Sequence, residues 1–388
     1  PGAVFWMWAT AIIGMATSFA ECSLAQLYKE KDKNGQFRGG PAWYMARGLG
    51  MRWMGVLFSL FLLIAYGLIF NTVQANSVAH AMRYAFACPE WITGVVLALL
   101  TLLTIYAGLK GVARLMQWLV PVMVLLWVAA SLFVTVLHID QFPDVIATIF
   151  KSAFGWREAA SGALGYTVSQ ALTAGFQRGM FSNEAGMGST PNAAAAAASW
   201  PPHPAAQGIV QMIGVFTDTI IICSASAMII LLSGPLPHPS GTVGIQLVQQ
   251  ALVNLVGGWG AGFVSLIVGL FAFSSITMNY LYAENNLIFL KLDSRHSRNV
   301  LRVGVIAMIM TGTLLSIPVV WQLADVIMAL MAITNLTAIL LLSPVVTLIA
   351  RDYLRQRKLG LKPVFDPTRY PEIEAQIAPG TWDDLPRQ

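Results

Sequence analysis

Apolar stretches of about 18 residues or more, the length that crosses a hydrocarbon core, recur from one end of this chain to the other with short polar connections between them. Nine such segments are read at residues 4–28, 53–82, 91–109, 115–137, 159–181, 208–233, 260–290, 300–317 and 319–349. Each is predicted to be a helix, because a chain in lipid must satisfy its backbone N–H and C=O groups within the segment itself. The connections alternate in charge as a polytopic membrane protein requires. Lys29, Lys31, Lys33, Arg38, Arg47 and Arg52 follow the first segment, Lys110 and Arg114 the third, and Arg178 closes the fifth. Lys291, Arg295, Arg298 and Arg302 follow the seventh, and Arg351, Arg355, Arg357 and Lys358 the ninth. The opposite loops carry little: Arg83, then Lys151 and Arg157, and no basic residue at 235–240. The first segment is therefore expected to run inward, with the C-terminus cytoplasmic. Residues 1–361 are read as one transmembrane domain and 362–388 as a cytoplasmic tail.

The fifth segment departs from this pattern, with Gly162, Gly165, Ser169, Gln170, Thr173, Gly175 and Gln177 threaded through it. Polar groups and glycines at membrane depth suit a helix that lines a cavity and can break to bind a ligand. They suit equally a helix that packs closely on its neighbours through small residues. Residues 182–199 then read as a polar turn and an alanine-rich helix ended by Trp200, Pro201 and Pro202.

Composition agrees with a lipid solvent: 56% of the 388 residues are hydrophobic and 11% charged, against roughly a quarter charged in a soluble domain. The net charge of +5 is spread in short clusters between apolar windows, which fits membrane orientation and not a nucleic-acid stripe. Cys22, Cys88 and Cys223 show no metal-ligand spacing and read as packing residues. The chain opens at Pro1 without a signal peptide pattern, and its start reads as truncated.

No catalytic constellation is present, so an enzyme is not expected. His80, His138, His203, His238 and His296 fall at segment ends or in loops, without metal spacing. Ser182 lies in no nucleophile elbow, and the glycines around Gly186 and Gly188 match no phosphate-binding loop. Four ionisable residues fall within segments. Structural pairing or interfacial solvation is the expectation for Glu21, Glu284 and Asp325, whereas Asp218, deeper and followed by Thr219, stays open between function and structure. Ser274, Ser275 and Thr277 put three hydroxyls within one turn of the seventh segment. Hard oxygens of this kind suit a partly dehydrated alkali cation, although each hydroxyl can instead bond its own helix backbone. Asn71, Thr72, Gln74, Asn76 and Ser77 in the second segment, and Thr334, Asn335 and Thr337 in the ninth, add polar groups that could converge on a solute.

The run Pro1-Gly2-Ala3-Val4-Phe5-Trp6-Met7-Trp8, continued to Gly14, resembles the motif of the bacterial alanine or glycine:cation symporters, also called sodium:alanine symporters. The motif's two leading glycines would fall just before Pro1, and Ala9 stands where the family usually has a larger aliphatic residue. Gly39-Gly40-Pro41, Gln74-Ala75-Asn76, Arg178, the run from Phe181 to Ser189, Asp218-Thr219 and the run from Phe271 to Ser275 extend the similarity over nearly the whole chain.

The resemblance implies an all-α, leucine-transporter-type fold of two inverted five-helix repeats. The nine segments would be the second to tenth core helices, and the part of the binding site on the first would lie upstream of residue 1. It implies a sodium site at Ser274 and Ser275 with the Phe271 carbonyl; Ser275 stands where many relatives have Thr. It implies a substrate pocket drawn from Gln74 and Asn76 and from a broken helix around Gly175, Gly179, Phe181 and Asn183. Arg178 and Glu184 would brace the cytoplasmic gate, and Asp218 would be gating or structural. The expected function is import of a small neutral amino acid, alanine or glycine, with sodium as coupling ion, across a bacterial inner membrane. The lipid bilayer is the expected surroundings, with no nucleic acid and no obligate protein partner. Alternatives are another small amino acid, proton coupling, or a channel that does not accumulate its solute.

Overall fold

The computed structural model describes residues 1–155, 164–234 and 244–382. Gly162, Arg157, the 235–240 loop with His238, the side chain of Lys110 and residues 383–388 lie outside the described residues. Among the described residues the chain is helical apart from one two-stranded hairpin. Helix α1 (Gly2–Leu27) leads into the hairpin of β1 (Glu30–Lys31) and β2 (Phe37–Arg38), followed by the short α2 (Pro41–Arg47). Then come α3 (Arg52–Ile64), a π-helical turn (Ala65–Ile69), α4 (Phe70–Phe86), α5 (Glu90–Tyr106), α6 (Gly108–Leu137), α7 (Phe142–Ala153), α8 (Leu164–Asn183) and α9 (Thr190–Ala196). The second half holds α10 (Pro204–Val215), a second π segment (Phe216–Cys223), α11 (Ser224–Leu232), α12 (Ile245–Val256), α13 (Trp259–Phe289), α14 (Arg295–Leu314), α15 (Ile317–Leu341), α16 (Ser343–Lys358) and α17 (Pro371–Glu374).

Each of the nine expected segments is mostly helical where it is described. Among the described residues, six spans meet both the length and the apolarity needed to cross a membrane: Gly2–Leu27, Arg52–Phe86, Gly111–Leu137, Pro204–Leu232, Trp259–Phe289 and Ile317–Leu341. The protein is thus a multi-pass membrane protein. Its outer surface is apolar, as lipid demands: Leu103 on α5 is 72% exposed, Leu125 on α6 68% and Leu340 on α15 72%.

Two features differ from the sequence expectation. The ninth segment does not run unbroken over 319–349: α15 ends at Leu341, and α16 restarts at Ser343 with proline in its first turn. Pro344 has no N–H to donate to Leu340, so the first helix stops there and the proline ring opens the next. Helices α7 and α12, each of 12 residues, are too short to register as spans; with α6, α11 and α13 they enclose a separate apolar cluster that includes Trp127, Ile149, Ile229, Leu252 and Ile267.

Helix α1 is the axis of the bundle, packed between α8 and α10. Its C-terminal half, with α2, α3, α4 and α15, forms the largest apolar cluster. Residues of the tail join that cluster: Phe365, Ile373 and Trp382 are buried in it. Trp382 Nε1 donates to the Leu27 carbonyl (3.3 Å) and Tyr28 to Gln376 (2.8 Å). Beside them, His203 Nδ1 accepts from Ala205 N (3.1 Å), which leaves Nε2 to donate to Asp352 (3.2 Å). The Asp352 carboxyl is exposed to the opposing pull of burial, but its hydrogen bonds from His203 and Tyr370 hold it below the usual carboxylate range.

Candidate functional site

The fifth segment breaks at its end and not in its middle. Helix α8 runs through Asn183, and then Glu184, Gly186 and Gly188 all adopt left-handed backbone, with φ of 57°, 85° and 84°. Three such residues within five cannot continue a right-handed helix. The freed backbone is buried, so its polar groups need partners. They come from a network that joins five other helices. Glu21 of α1 accepts from Gly186 N (3.1 Å), and Asn335 of α15 donates to the Gly186 carbonyl (3.0 Å) and to Glu21 (2.8 Å). Tyr44 of α2 donates to Asn335. Asn192 of α9 donates to the Gly188 and Ser189 carbonyls (3.1 and 2.9 Å), and its own oxygen accepts from Asn285 and Asn286 of α13 (2.7 and 3.0 Å). Glu184 itself accepts from Ser189 at 2.6 Å.

Glu21 is therefore the hub of a connected network, in which Asn335 already spends its oxygen on Tyr44. Glu21→Ala strips partners from the Gly186 N–H and from Asn335, at roughly 1–3 kcal/mol for each buried group left unsatisfied. Glu21→Gln keeps the shape but sets an amide N–H₂ against donors. Thermal unfolding of the purified protein should rank wild type above Glu21→Gln above Glu21→Ala. Equal melting of all three would remove the network from the list of stabilising features.

Both π segments adjoin this break. A π turn leaves carbonyls without their usual helical partners, and at Ala65–Ile69 the Asn71 amide fills the gap by donating to Tyr66 O (2.9 Å) and Gly67 O (3.2 Å) while accepting from Asn279 of α13 (3.0 Å). At Phe216–Cys223, Asp218 accepts from Ser182 (2.6 Å) and Thr219 (3.4 Å). Asn183 donates to Thr219 (2.9 Å) and accepts from Ala185 N (3.0 Å), which caps the end of α8. Asp218 and Asn183 thus fasten the break to the second π segment.

The other residues singled out in the sequence lie in three places. Gly175 and Gly179 face α1: a side-chain carbon on Gly175 would stand 2.5 Å from the Ala3 carbonyl oxygen. Both lie tight against α1, and the break expected around Gly175 falls instead after Asn183. Asn76 donates to the Gly312 and Leu315 carbonyls (2.9 and 2.7 Å) and so secures the end of α14. Gln74, half-buried, has no hydrogen-bond partner among the described residues.

Arg178 and Glu184 engage different partners, Asp325 for the first and Ser189 for the second. Arg178 Nη2 lies 2.6 Å from both oxygens of Asp325, and the guanidinium sits 4.3 Å from the centre of the Trp321 ring. From Trp321 a file of aromatic rings runs inward through Phe181 (4.9 Å), Phe70 (5.3 Å), Tyr66 (4.8 Å) and Tyr282 (5.5 Å). The pair is partly exposed, at 37% and 25%, so its removal costs only about 1 kcal/mol of stability. Asp325→Asn should accordingly leave melting nearly unchanged while lowering solute uptake several-fold; uptake equal to wild type would make the pair an incidental surface contact.

Beyond Tyr282, at the far end of the file, is a cavity of 490 Å³ between the hairpin, α9 and α13, lined by Phe37, Asn192, Ala197, Met278, Tyr282 and Asn285 among others. Ser274 and Ser275 precede Met278 by four and three residues, and Phe271 precedes Tyr282 by eleven. This spacing puts the hydroxyl pair on the cavity-lining face of α13, one turn beyond the cavity. Ser274 donates to the Phe271 carbonyl (2.8 Å), a backbone bond of the ordinary kind that leaves the lone pairs of the Ser274 hydroxyl free. Ser275 has no hydrogen-bond partner among the described residues.

The sequence profile of the sodium:alanine symporter family matches residues 1–367. The chain belongs to that family. It is a transporter and not an enzyme. The symporter is 68% identical over its full length to an uncharacterized transporter, YaaJ, of Escherichia coli K12, of which it covers 82%. It is 47% identical, over 94% of its length, to the probable sodium/glutamine symporter GlnT of Bacillus subtilis, covering 74% of that protein. It is 36% identical, over 92% of its length, to the sodium/alanine symporter AgcS of Methanococcus maripaludis, covering 78%.

Sequence reasoning missed Tyr44, Asn192, Asn286 and Trp321. The adjacent Asn285 and Asn286 inside a 31-residue helix of membrane-crossing length were the available signal, since paired amides at membrane depth need buried partners.

Proposed function

We propose that this symporter imports a small neutral amino acid, alanine or glycine, together with sodium, by alternating access on a leucine-transporter-type inverted repeat. The observation that carries the reading is the position of Ser274, Ser275 and the Phe271 carbonyl: three hard oxygens on one face of α13, a turn from a cavity. Such oxygens favour an alkali cation over a transition metal, and no carboxylate among the described residues bonds to either serine, which favours sodium over a proton. The basic connections favour a cytoplasmic side for the hairpin, α16 and the tail in a bacterial inner membrane. In that orientation the cavity is the inward exit, and Arg178, expected at the cytoplasmic gate, would instead close the outer side with Asp325 and Trp321, because its stretch of α8 lies against the start of α1. Phe181, Gln74 and Asn183 would border the solute, with Glu184 and Asp218 holding the break from behind.

A zwitterion carries no net charge, so the ion supplies the work. One sodium crossing 100 mV yields about 2.3 kcal/mol, and a tenfold gradient adds about 1.4 kcal/mol. Together these support accumulation of roughly a few hundredfold. The 47% identity to a probable sodium/glutamine symporter favours glutamine as the second reading. The test is uptake of labelled alanine into proteoliposomes, with sodium replaced by choline at fixed potential and glycine, serine and glutamine as competitors. Sodium-dependent accumulation above the outside concentration, displaced best by glycine, is expected. Displacement best by glutamine would change the substrate, and equilibration without accumulation would indicate a channel.

A further inference from the structure

A second cavity, of 850 Å³, lies at the hairpin end of the bundle between the hairpin, the end of α5 and the α13–α14 turn. Its lining is rich in charge: Lys31, Lys33, Arg38, Lys291, Arg298 and Arg302 against Glu30, Asp32, Glu284 and Asp293, six bases and four acids, a surplus of two positive charges. The acids are already engaged by arginines. Asp32 pairs with Arg38 (3.2 Å), Glu30 with Arg47, and both Asp293 and Glu284 (3.8 Å) with Arg298. Lys33, Lys291 and Arg302 have no carboxylate partner among the described residues.

Arg302 is held in place without being neutralised. Its Nε donates to Tyr280 Oη (3.3 Å), its Nη1 to Asn299 (3.1 Å), and its guanidinium lies 4.6 Å from the centre of the Tyr106 ring. Tyr106 ends α5 and is 66% exposed, one turn beyond the lipid-facing Leu103. An exposed tyrosine at the end of an apolar helix marks the depth of the headgroups. The cavity, which Tyr106 also lines, is therefore at the depth of lipid phosphates, with uncompensated cations in its lining.

We propose that this cavity, through Lys33, Lys291 and Arg302, binds the phosphodiester of an anionic phospholipid headgroup. Guanidinium and ammonium donors around a pocket at the membrane boundary are the chemistry that recognises such a group. Asn34, Gln36 and Arg38 line this cavity and the 490 Å³ cavity alike. A headgroup bound at Lys33 thus fixes a wall of the transport cavity, and anionic lipid supports transport through the hairpin. The proposal does not depend on which solute is carried, because its test reads lipid binding directly.

Lipid binding to the purified full chain in neutral detergent is measured by native mass spectrometry, with phosphatidylglycerol, phosphatidylcholine or inorganic phosphate added. Phosphatidylglycerol should bind about tenfold more tightly than phosphatidylcholine. The triple variant Lys33→Gln, Lys291→Gln, Arg302→Gln should lose that preference, and Lys33→Gln alone, at an exposed hairpin tip, should weaken it about threefold. Arg351→Gln, Arg357→Gln, Lys358→Gln, the same charge change on α16, should keep it. Equal binding of the two lipids, or equal loss in the α16 variant, overturns the proposal. Displacement of phosphatidylglycerol by equimolar inorganic phosphate overturns the lipid assignment in favour of a free-anion site.

Discussion

Gly175→Ala should yield little folded protein. The added methyl carbon would meet Ala3 O at 2.5 Å, Trp6 Cβ at 2.6 Å and Met7 N at 2.9 Å. Two of these three are backbone atoms of α1, which cannot rotate away, so α8 must lift from the central helix. Overpacking of a tight interface costs typically 1–3 kcal/mol even where side chains can adjust, and here they cannot. Gly179→Ala is the internal control, because its nearest neighbour is Met7 Cγ at 3.3 Å, the flexible part of an adaptable side chain. Yield and melting temperature of the two purified variants check this: a collapse for Gly175→Ala and a change of a few degrees at most for Gly179→Ala. The comparison also separates packing from solute binding. A Gly175→Ala protein that folds normally and shows only a raised half-saturation for the solute would assign Gly175 to solute binding and not to packing.

Ser274→Ala with Ser275→Ala should raise the sodium concentration for half-maximal uptake at least tenfold, with folding retained. Neither hydroxyl holds another helix: Ser274 bonds only within α13. Loss of two of three protein oxygens leaves a cation that needs several without enough to replace its water. Ser275→Thr keeps the hydroxyl and should behave as wild type. Uptake measured over a sodium series decides it, and an unchanged sodium dependence in the double variant would move the ion site elsewhere.

The helices were legible because lipid leaves so few alternatives. A window of apolar residues must be helical, and alternating loop charge fixes its direction. What the windows could not reveal was contact between distant positions. Arg178 and Asp325 lie 147 residues apart, and nothing local to either names the other. Glu21 read correctly as a residue needing structural partners, yet its partners at Gly186 and Asn335 emerge only when α1, α8 and α15 are assembled. The fifth segment carried two signals in one composition. Gly175 and Gly179 lie against α1, whereas the break follows at Glu184, where left-handed backbone is needed at a residue that is not glycine. Pro344 was visible in the sequence, but hydropathy carried the ninth segment across it, because the residues on both sides are apolar. The three candidate sodium oxygens were found from spacing and resemblance together, and the cavity beside them had no sequence signature at all.

Coupling is tested most directly by entry of labelled sodium into proteoliposomes held at zero potential, with and without external alanine. Alanine should stimulate sodium entry, in fixed proportion to alanine entry, and the Ser274→Ala, Ser275→Ala protein should need far more sodium to show it. Alanine entry without any accompanying sodium would contradict symport through this site.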